Sequence, residues 1–108
     1  MRQVSGAELA AFVAEQSVAA IHLDAEWDVG YRPIVRATML EAEKALNAVA
    51  NFGEVDVDGS PELAVSVGLL NVPAVAYYRD GKLAALMYGA SQNIRARMEQ
   101  LLRGELIT

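Results

Sequence analysis

A two-residue turn between two apolar segments places the firmest constraint on how this chain can fold. The segments Ala74–Arg79 and Lys82–Tyr88 have the composition of strands, and only Asp80-Gly81 separates them. An Asp-Gly pair favours the tight hairpin turn because both residues tolerate positive φ. A connection this short permits only an antiparallel pair. The sequence therefore predicts a β-hairpin in the last third of the chain.

Upstream of this hairpin, short apolar segments alternate with helical patterns. Ser5 and Glu8 have the spacing of a capping box, which predicts a first helix over residues 6–16. Residues 18–23 and 52–57 have the short apolar pattern of buried strands. Strands that are separated by helices pair in parallel or lie as near neighbours, so the sequence predicts a mixed sheet.

A long second helix is expected to begin near Tyr31, after a loop over residues 24–30. Pro33 suits its first turn, where the missing N–H costs least. We expect Arg36 to face water on this helix. The apolar side is expected to consist of Ile34, Met39, Leu40, Ala42, Leu46 and Val49.

Two further helices are predicted from their terminal residues. Ser60, followed by Pro61, and Ser91 are expected N-caps. Gly68 and Gly104 are expected to end the same two helices in the left-handed conformation. The resulting order, (β)αβαβαββα, predicts a single α/β domain over residues 1–108 with helices on both faces of the sheet.

Composition and charge exclude several classes of protein. With 54% hydrophobic and 21% charged residues, the chain has the composition of a folded domain. Acidic residues outnumber basic ones by 14 to 9, and Arg95, Arg97 and Arg103 are spread along one segment without forming a basic patch, so we expect them in solvent. Residues 1–16 lack a signal-peptide pattern, and no apolar run approaches the ~20 residues of a membrane span. We therefore expect a cytoplasmic monomer with neither nucleic-acid nor membrane partners.

The chain contains no cysteine and a single histidine, His22. A structural zinc site needs four Cys or His ligands in most cases, so we predict no metal and no cofactor.

Five fragments of the sequence resemble the thioredoxin-like family, in the same order and with compatible spacing. They are Ala25-Glu26-Trp27, then Asp56-Val57-Asp58 with Ser60-Pro61-Glu62-Leu63, then Val67-Gly68 with Asn71-Val72-Pro73, then Tyr78-Arg79-Asp80-Gly81-Lys82, and finally Tyr88-Gly89-Ala90. The resemblance implies the thioredoxin fold, with three α/β/α layers, a central mixed sheet and a C-terminal β-hairpin plus helix. It also places Pro73 at the position of the family's cis-proline.

The sequence departs from this family at the redox motif itself. Asp28-Val29-Gly30-Tyr31 stands where the family has Cys-x-x-Cys. Disulfide exchange needs an attacking thiolate and a second thiol that resolves the mixed disulfide. Neither the Asp28 carboxylate nor the Tyr31 phenol can do this, so we predict a redox-inactive protein that is not an enzyme.

A second departure concerns two positions beneath the motif. The family's buried acid and its partner lysine are matched here by His22 and Glu54. We hypothesise that these two side chains form a buried ion pair or hydrogen bond, in which the carboxylate would raise the His22 pKa and burial would lower it. The alternative is a histidine at the edge of the core that is satisfied by backbone or water.

The family's peptide groove is matched by residues that need no sulfur. These are Trp27, Val72, Pro73, Gly89 and Ala90. The resemblance implies a binding, adaptor or chaperone-like module that holds an extended peptide or partner protein by adding a strand. Two alternatives stay open: these residues merely hold the loop together, or the domain binds glutathione or another small thiol.

Three acidic residues alternate in the loop that follows the first buried strand. Asp24, Glu26 and Asp28 could form a charged lip beside the groove or a weak cation site. Alternatively, acids stabilise the positive end of the helix that follows. We favour the helix interpretation for Asp28.

Overall fold

The computed structural model describes residues 1–107, which form a five-stranded mixed sheet with helices on both faces. The elements in chain order are β1 (Arg2–Gln3), α1 (Leu9–Ala14), β2 (Val18–Asp24), α2 (Arg32–Leu46), β3 (Ala50–Asp56), α3 (Pro61–Ser66), β4 (Ala74–Arg79), β5 (Lys82–Tyr88) and α4 (Ile94–Leu102). The strand order is β1-β3-β2-β4-β5; β3 is parallel to β1 and β2, whereas β4 is antiparallel to β2 and β5. The predicted fold class is confirmed. None of the helices within residues 1–107 has the length and apolar character needed to cross a bilayer.

The central strand β2 supplies side chains to both halves of the core. All seven of its residues are buried, and successive side chains point to opposite faces of the sheet. Ala19, Ile21 and Leu23 pack with α1 and α3, whereas Val18 and Ala20 pack with α2 and α4. By the same alternation, the side chains of His22 and Asp24, the remaining even-numbered residues of β2, point to the face that α2 covers.

The Asp80-Gly81 turn has the backbone conformation that its sequence predicts. Asp80 has a φ of 51° and Gly81 a φ of 77°. Positive φ at both positions is the signature of the turn that matches the twist of a hairpin. The turn joins β4 and β5, whose boundaries coincide with the predicted ones.

The first helix is shorter than predicted, although its capping box forms. The Ser5 N–H donates to Glu8 Oε1 at 3.1 Å, and the Glu8 N–H donates to Ser5 Oγ at 3.2 Å. These bonds close a turn over residues 6–8, and the helix itself begins at Leu9. The capping pattern is thus right, and the predicted start at residue 6 is wrong.

Of the two predicted serine caps, one is in place and one is wrong. Ser60 stands at the N-cap of α3, which begins at Pro61 as predicted, but its side chain makes no capping hydrogen bond. At α4 the cap is Asn93, whose Oδ1 accepts from the Ala96 N–H at 3.2 Å. Ser91 precedes this cap by two residues; between them, Gln92 Nε2 donates to the carbonyls of Met87, near the end of β5, and Gly89.

The buried stripe of α2 differs from the predicted apolar side. Its buried residues are Val35, Met39 and Ala42, spaced four and three residues apart on one face. Leu46 packs at the edge of this stripe. The remaining three predicted members are about half exposed: Ile34, Leu40 and Val49. A phase shift of the helix toward Val35 explains the difference.

Candidate functional site

Two open depressions meet at the peptide bond between Val72 and Pro73, which is cis. The first, here called the Trp27 depression, has a volume of about 280 Å³ and is lined by Trp27, Val57, Leu69, Leu70, Asn71 and Val72. The second, the Tyr31 depression, has a volume of about 450 Å³ and is lined by Tyr31, Pro73, Tyr88, Gly89, Ala90 and Ser91. The five residues of the predicted groove line these two depressions: Trp27 and Val72 the first, and Pro73, Gly89 and Ala90 the second. We call the two depressions together the groove.

Large apolar side chains in the groove are exposed to solvent. The exposed fraction is 64% for Trp27, 90% for Leu70 and 57% for Tyr31. Exposed aromatic and aliphatic side chains that cluster around one point are typical of interaction surfaces.

The loop that precedes β4 is held to β5 by a tyrosine. The Tyr88 hydroxyl accepts from the Leu70 N–H at 3.0 Å and donates to the Gly68 carbonyl at 3.3 Å. On the far side, the Gly89 N–H donates to the Pro73 carbonyl at 3.0 Å. These bonds fix the positions of both depressions relative to the sheet.

The backbone of Val72 lies outside the hydrogen-bonded ladder. Its N–H donates to the side chain of the preceding residue, Asn71 Oδ1, at 2.9 Å. Within residues 1–107, no group donates a hydrogen bond to the Val72 carbonyl. The ladder between β4 and its neighbours starts only at Ala74.

Asp28 and Tyr31 lie just before α2, which begins at Arg32. Asp28 is largely buried, and its carboxylate accepts a long hydrogen bond of 3.4 Å from the Tyr31 N–H. This places a negative charge near the positive end of α2, as the helix interpretation requires. The Tyr31 side chain faces the groove, and its hydroxyl bonds to no other residue in the range 1–107.

A group of buried polar side chains lies on the paired strands β2 and β3. It is here called the buried cluster and is centred on His22, Asp24 and Glu54. All three are at most 3% exposed. His22 and Glu54 are paired in the register of β2 and β3, and His22 Nδ1 lies 2.8 Å from Glu54 Oε2. The structure therefore brings the two hypothesised partners into contact.

Two arginines of α2 complete the buried cluster, and sequence reasoning missed both. Arg36 was expected in water, but its guanidinium binds Glu54 through two bonds, of 2.8 Å from Nε and 2.5 Å from the terminal nitrogen. Arg32 Nε donates to Asp24 Oδ2 at 2.6 Å. The spacing of the two arginines could have indicated a shared role, because residues four apart lie on one face of a helix. Gln3 adds a further bond, of 2.6 Å, to Glu54.

Opposing effects act on the ionisation of this pair. Burial raises the pKa of Glu54, but hydrogen bonds from Arg36, Gln3 and His22 outweigh it and lower the pKa to about 2. Burial lowers the pKa of His22, and the hydrogen bond to Glu54 opposes it only in part. At neutral pH an ionised Glu54 therefore accepts a hydrogen bond from the Nδ1–H of an uncharged imidazole.

The donor set of the buried cluster does not fit a metal ion. His22, Asp24 and Glu54 each offer an atom within 4.8 Å of the others. Both Glu54 oxygens already accept hydrogen bonds, which leaves His22 Nε2 and Asp24 Oδ1, 4.0 Å apart, as the buried side-chain atoms without a partner in residues 1–107. Zinc takes at least three protein ligands. The guanidinium groups of Arg32 and Arg36 already neutralise the two carboxylates, and their positive charges would repel a metal cation.

Comparisons with known proteins identify the fold. No protein-family model and no curated protein matches the sequence. Among solved structures, a thioredoxin from Plasmodium falciparum is 22% identical, with a TM-score of 0.77 over 96% of this chain and 98% of that chain. The oxidised thioredoxin from the same organism is 21% identical, with a TM-score of 0.76 over 96% of each chain. A mutant thioredoxin from Halobacterium salinarum NRC-1 is 19% identical, with a TM-score of 0.80 over 99% of this chain and 91% of that chain. The chain thus has the thioredoxin fold in a sequence without cysteine.

Proposed function

We propose that this chain is a redox-inactive binding module that holds an extended segment of a partner protein in the groove. The observation that carries the proposal is the position of Val72, whose backbone lies outside the ladder between two exposed apolar depressions. The groove supplies apolar surface and backbone hydrogen-bonding groups at one point. Both are what strand addition uses.

The backbone of Val72 can pair with an incoming strand. Its carbonyl is free to accept a hydrogen bond within the described structure, and its N–H is bonded only to the flexible side chain of Asn71. An incoming carbonyl can replace the Asn71 amide oxygen with little disturbance of the fold. The bound segment would then continue the sheet at the start of β4.

The two depressions can receive side chains of that segment. Side chains at alternate positions of an extended chain point to the same face, so two of them can enter a depression each. Trp27 offers a large apolar face on one side, and Tyr31 and Tyr88 offer aromatic rings on the other. Tryptophan and tyrosine are enriched among the residues that dominate binding energy at interfaces.

The chemistry around the groove supports binding without catalysis. The chain has no thiol, and the Asp28 carboxylate is largely buried against the start of α2. His22 is fully buried, so its imidazole cannot reach a ligand in the groove. Within residues 1–107 the Tyr88 hydroxyl bonds only to the backbone of Leu70 and Gly68, and the Tyr31 hydroxyl forms no hydrogen bond, so no bonded side chain activates either one.

The test is selection from a displayed library of random linear peptides, followed by titration of a selected peptide into ¹⁵N-labelled protein. We expect amide shifts at Val72 and Ala74 and a shift of the Trp27 indole. Trp27→Ala should weaken binding at least tenfold while unfolding at a similar temperature, because this side chain is mostly exposed. The control is Val65→Ala, another exposed apolar side chain that lines neither depression.

Two results would overturn the proposal. One is equal peptide affinity in Trp27→Ala and Val65→Ala. The other is saturable shifts at Pro73 neighbours with reduced glutathione and none with any selected peptide, which would favour the small-thiol alternative.

A further inference from the structure

Exposed acidic residues are the sequence neighbours of two residues that line the Trp27 depression. Trp27 follows Glu26 directly, and Val57 stands between Asp56 and Asp58. The three carboxylates belong to exposed residues, in contrast to the largely buried Asp28. Two of the apolar residues that line this depression are therefore flanked by negative charge on the surface.

These surface charges have no cationic partner within residues 1–107. None of Glu26, Asp56 and Asp58 forms an ion pair there. The two nearest arginines along the chain are committed elsewhere, since Arg32 binds Asp24 and Arg36 binds Glu54. Neither depression is lined by a lysine or an arginine. The exposed acids next to Trp27 and Val57 are thus uncompensated by cations within residues 1–107.

We propose that the segment held in the groove is basic, with lysine or arginine on both sides of the apolar residue that enters the Trp27 depression. This inference rests on the proposed function and adds the chemistry of the partner. An apolar depression with exposed acids next to two of its lining residues complements an apolar side chain with cationic flanks. The net charge of −5 acts in the same direction, because it attracts a basic partner and repels an acidic one.

The physical effect on binding is a modest gain from each pair and a dependence on salt. Exposed ion pairs contribute little one by one, so selectivity arises from several carboxylates acting on several cations. Because these charges are exposed, added salt screens them over about 10 Å or less. A charge preference in the groove must therefore shrink as the salt concentration rises.

The experiment uses three synthetic peptides with the same central Leu-Val-Leu and with Lys, Gln or Glu pairs on both sides. Their affinity for the full chain is measured by fluorescence anisotropy at low and high salt. At low salt we expect the Lys peptide to bind at least tenfold more tightly than the Glu peptide, with the Gln peptide between them. At high salt the ratio should fall below threefold.

Variants that remove negative charges test which carboxylates produce the preference for the Lys peptide. Glu26→Gln combined with Asp58→Asn should reduce the Lys-to-Glu ratio at least threefold, whereas Glu41→Gln, an exposed acid on α2, should not change it. Circular dichroism establishes that all variants are folded. Equal affinity for the three peptides, with binding lost in Trp27→Ala, would overturn the charge preference and leave the groove in place. Failure of every peptide, including those selected from the library, would overturn both proposals.

Discussion

His22 and Glu54 face each other on neighbouring parallel strands, with Nδ1 2.8 Å from Oε2 and both side chains buried. Glu54 also binds Arg36 and Gln3, so the carboxylate is surrounded by donors. These donors stabilise the ionised form of Glu54 in the folded chain. The imidazole, in contrast, is kept neutral by burial.

The first prediction concerns the ionisation of His22. We expect a pKa below its ordinary value of 6.5, because burial outweighs the attraction of the nearby carboxylates. In Glu54→Gln the pKa should fall further, since the substitution removes a negative charge that favours the imidazolium. NMR titration of the single histidine measures both values. A pKa at or above 6.5 in the unmodified chain would contradict this account.

The second prediction concerns stability in acid. The pKa of Glu54 is about 2 in the folded chain against an ordinary value of 4.5, so the stabilisation is complete above pH 4.5 and is lost as the pH falls toward 2. A pKa lowered from 4.5 to about 2 adds roughly 3 kcal/mol to the free energy of unfolding. His22 acts in the same direction, because its lowered pKa makes protonation below pH 6.5 unfavourable to the fold. Urea unfolding across this pH range measures the loss, and Glu54→Gln should flatten the curve below pH 4.5.

The third prediction concerns a close approach between α1 and the sheet. A Cβ at Gly53 would lie 2.8 Å from Phe12 Cε2 and 3.0 Å from Val4 Cγ2. Gly53→Ala should therefore destabilise the fold by about 1–3 kcal/mol through overpacking. Gly30→Ala is the control, because a Cβ there meets no atom within 4 Å. Equal melting temperatures for the two variants would refute the close approach.

The fourth prediction concerns the loop that forms one wall of the groove. Tyr88→Phe removes the hydroxyl that bonds to the Leu70 N–H and the Gly68 carbonyl. We expect faster hydrogen exchange at Leu70 and a loss of about 0.5–1.5 kcal/mol. Tyr31→Phe removes a hydroxyl without a partner among residues 1–107 and should change neither quantity. Unchanged exchange at Leu70 in Tyr88→Phe would mean that the hydroxyl does not hold the loop.

The fifth prediction concerns competition at Val72. Asn71 Oδ1 occupies the hydrogen bond of the Val72 N–H that a bound strand would use. Asn71→Ala should therefore tighten peptide binding by about fivefold, which corresponds to roughly one hydrogen bond. Anisotropy titration with the Lys peptide measures the change. Weaker binding would indicate that the Asn71 side chain contacts the peptide instead of competing with it.

Several features of this protein could be predicted from the sequence because they depend on short-range interactions. The Asp80-Gly81 turn needs only residues that tolerate positive φ, and the bonds between Ser5 and Glu8 need only a spacing of three. Apolar segments of strand and helix length give the order of the elements. The absence of a thiol is fixed by composition alone.

The candidate site depends on contacts between residues far apart in the sequence. Local patterns place Arg36 on a helix surface, and only the packing of α2 on the sheet brings its guanidinium to Glu54. Likewise, Ser60 stands at the predicted N-cap of α3, yet its buried side chain makes no capping hydrogen bond. The phase of α2 is decided by which side fits against β2 and β3.

The sequence by itself therefore determined that the chain has Trp27 and Pro73 but no cysteine, and hence no thiol that could react. Only the tertiary structure decided that Trp27, Val57 and Leu70 line one depression beside Val72, whose carbonyl accepts no hydrogen bond from residues 1–107. The physical reason is that periodicity and turn chemistry act over a few residues, whereas a groove and a buried ion pair form where separate strands and helices meet.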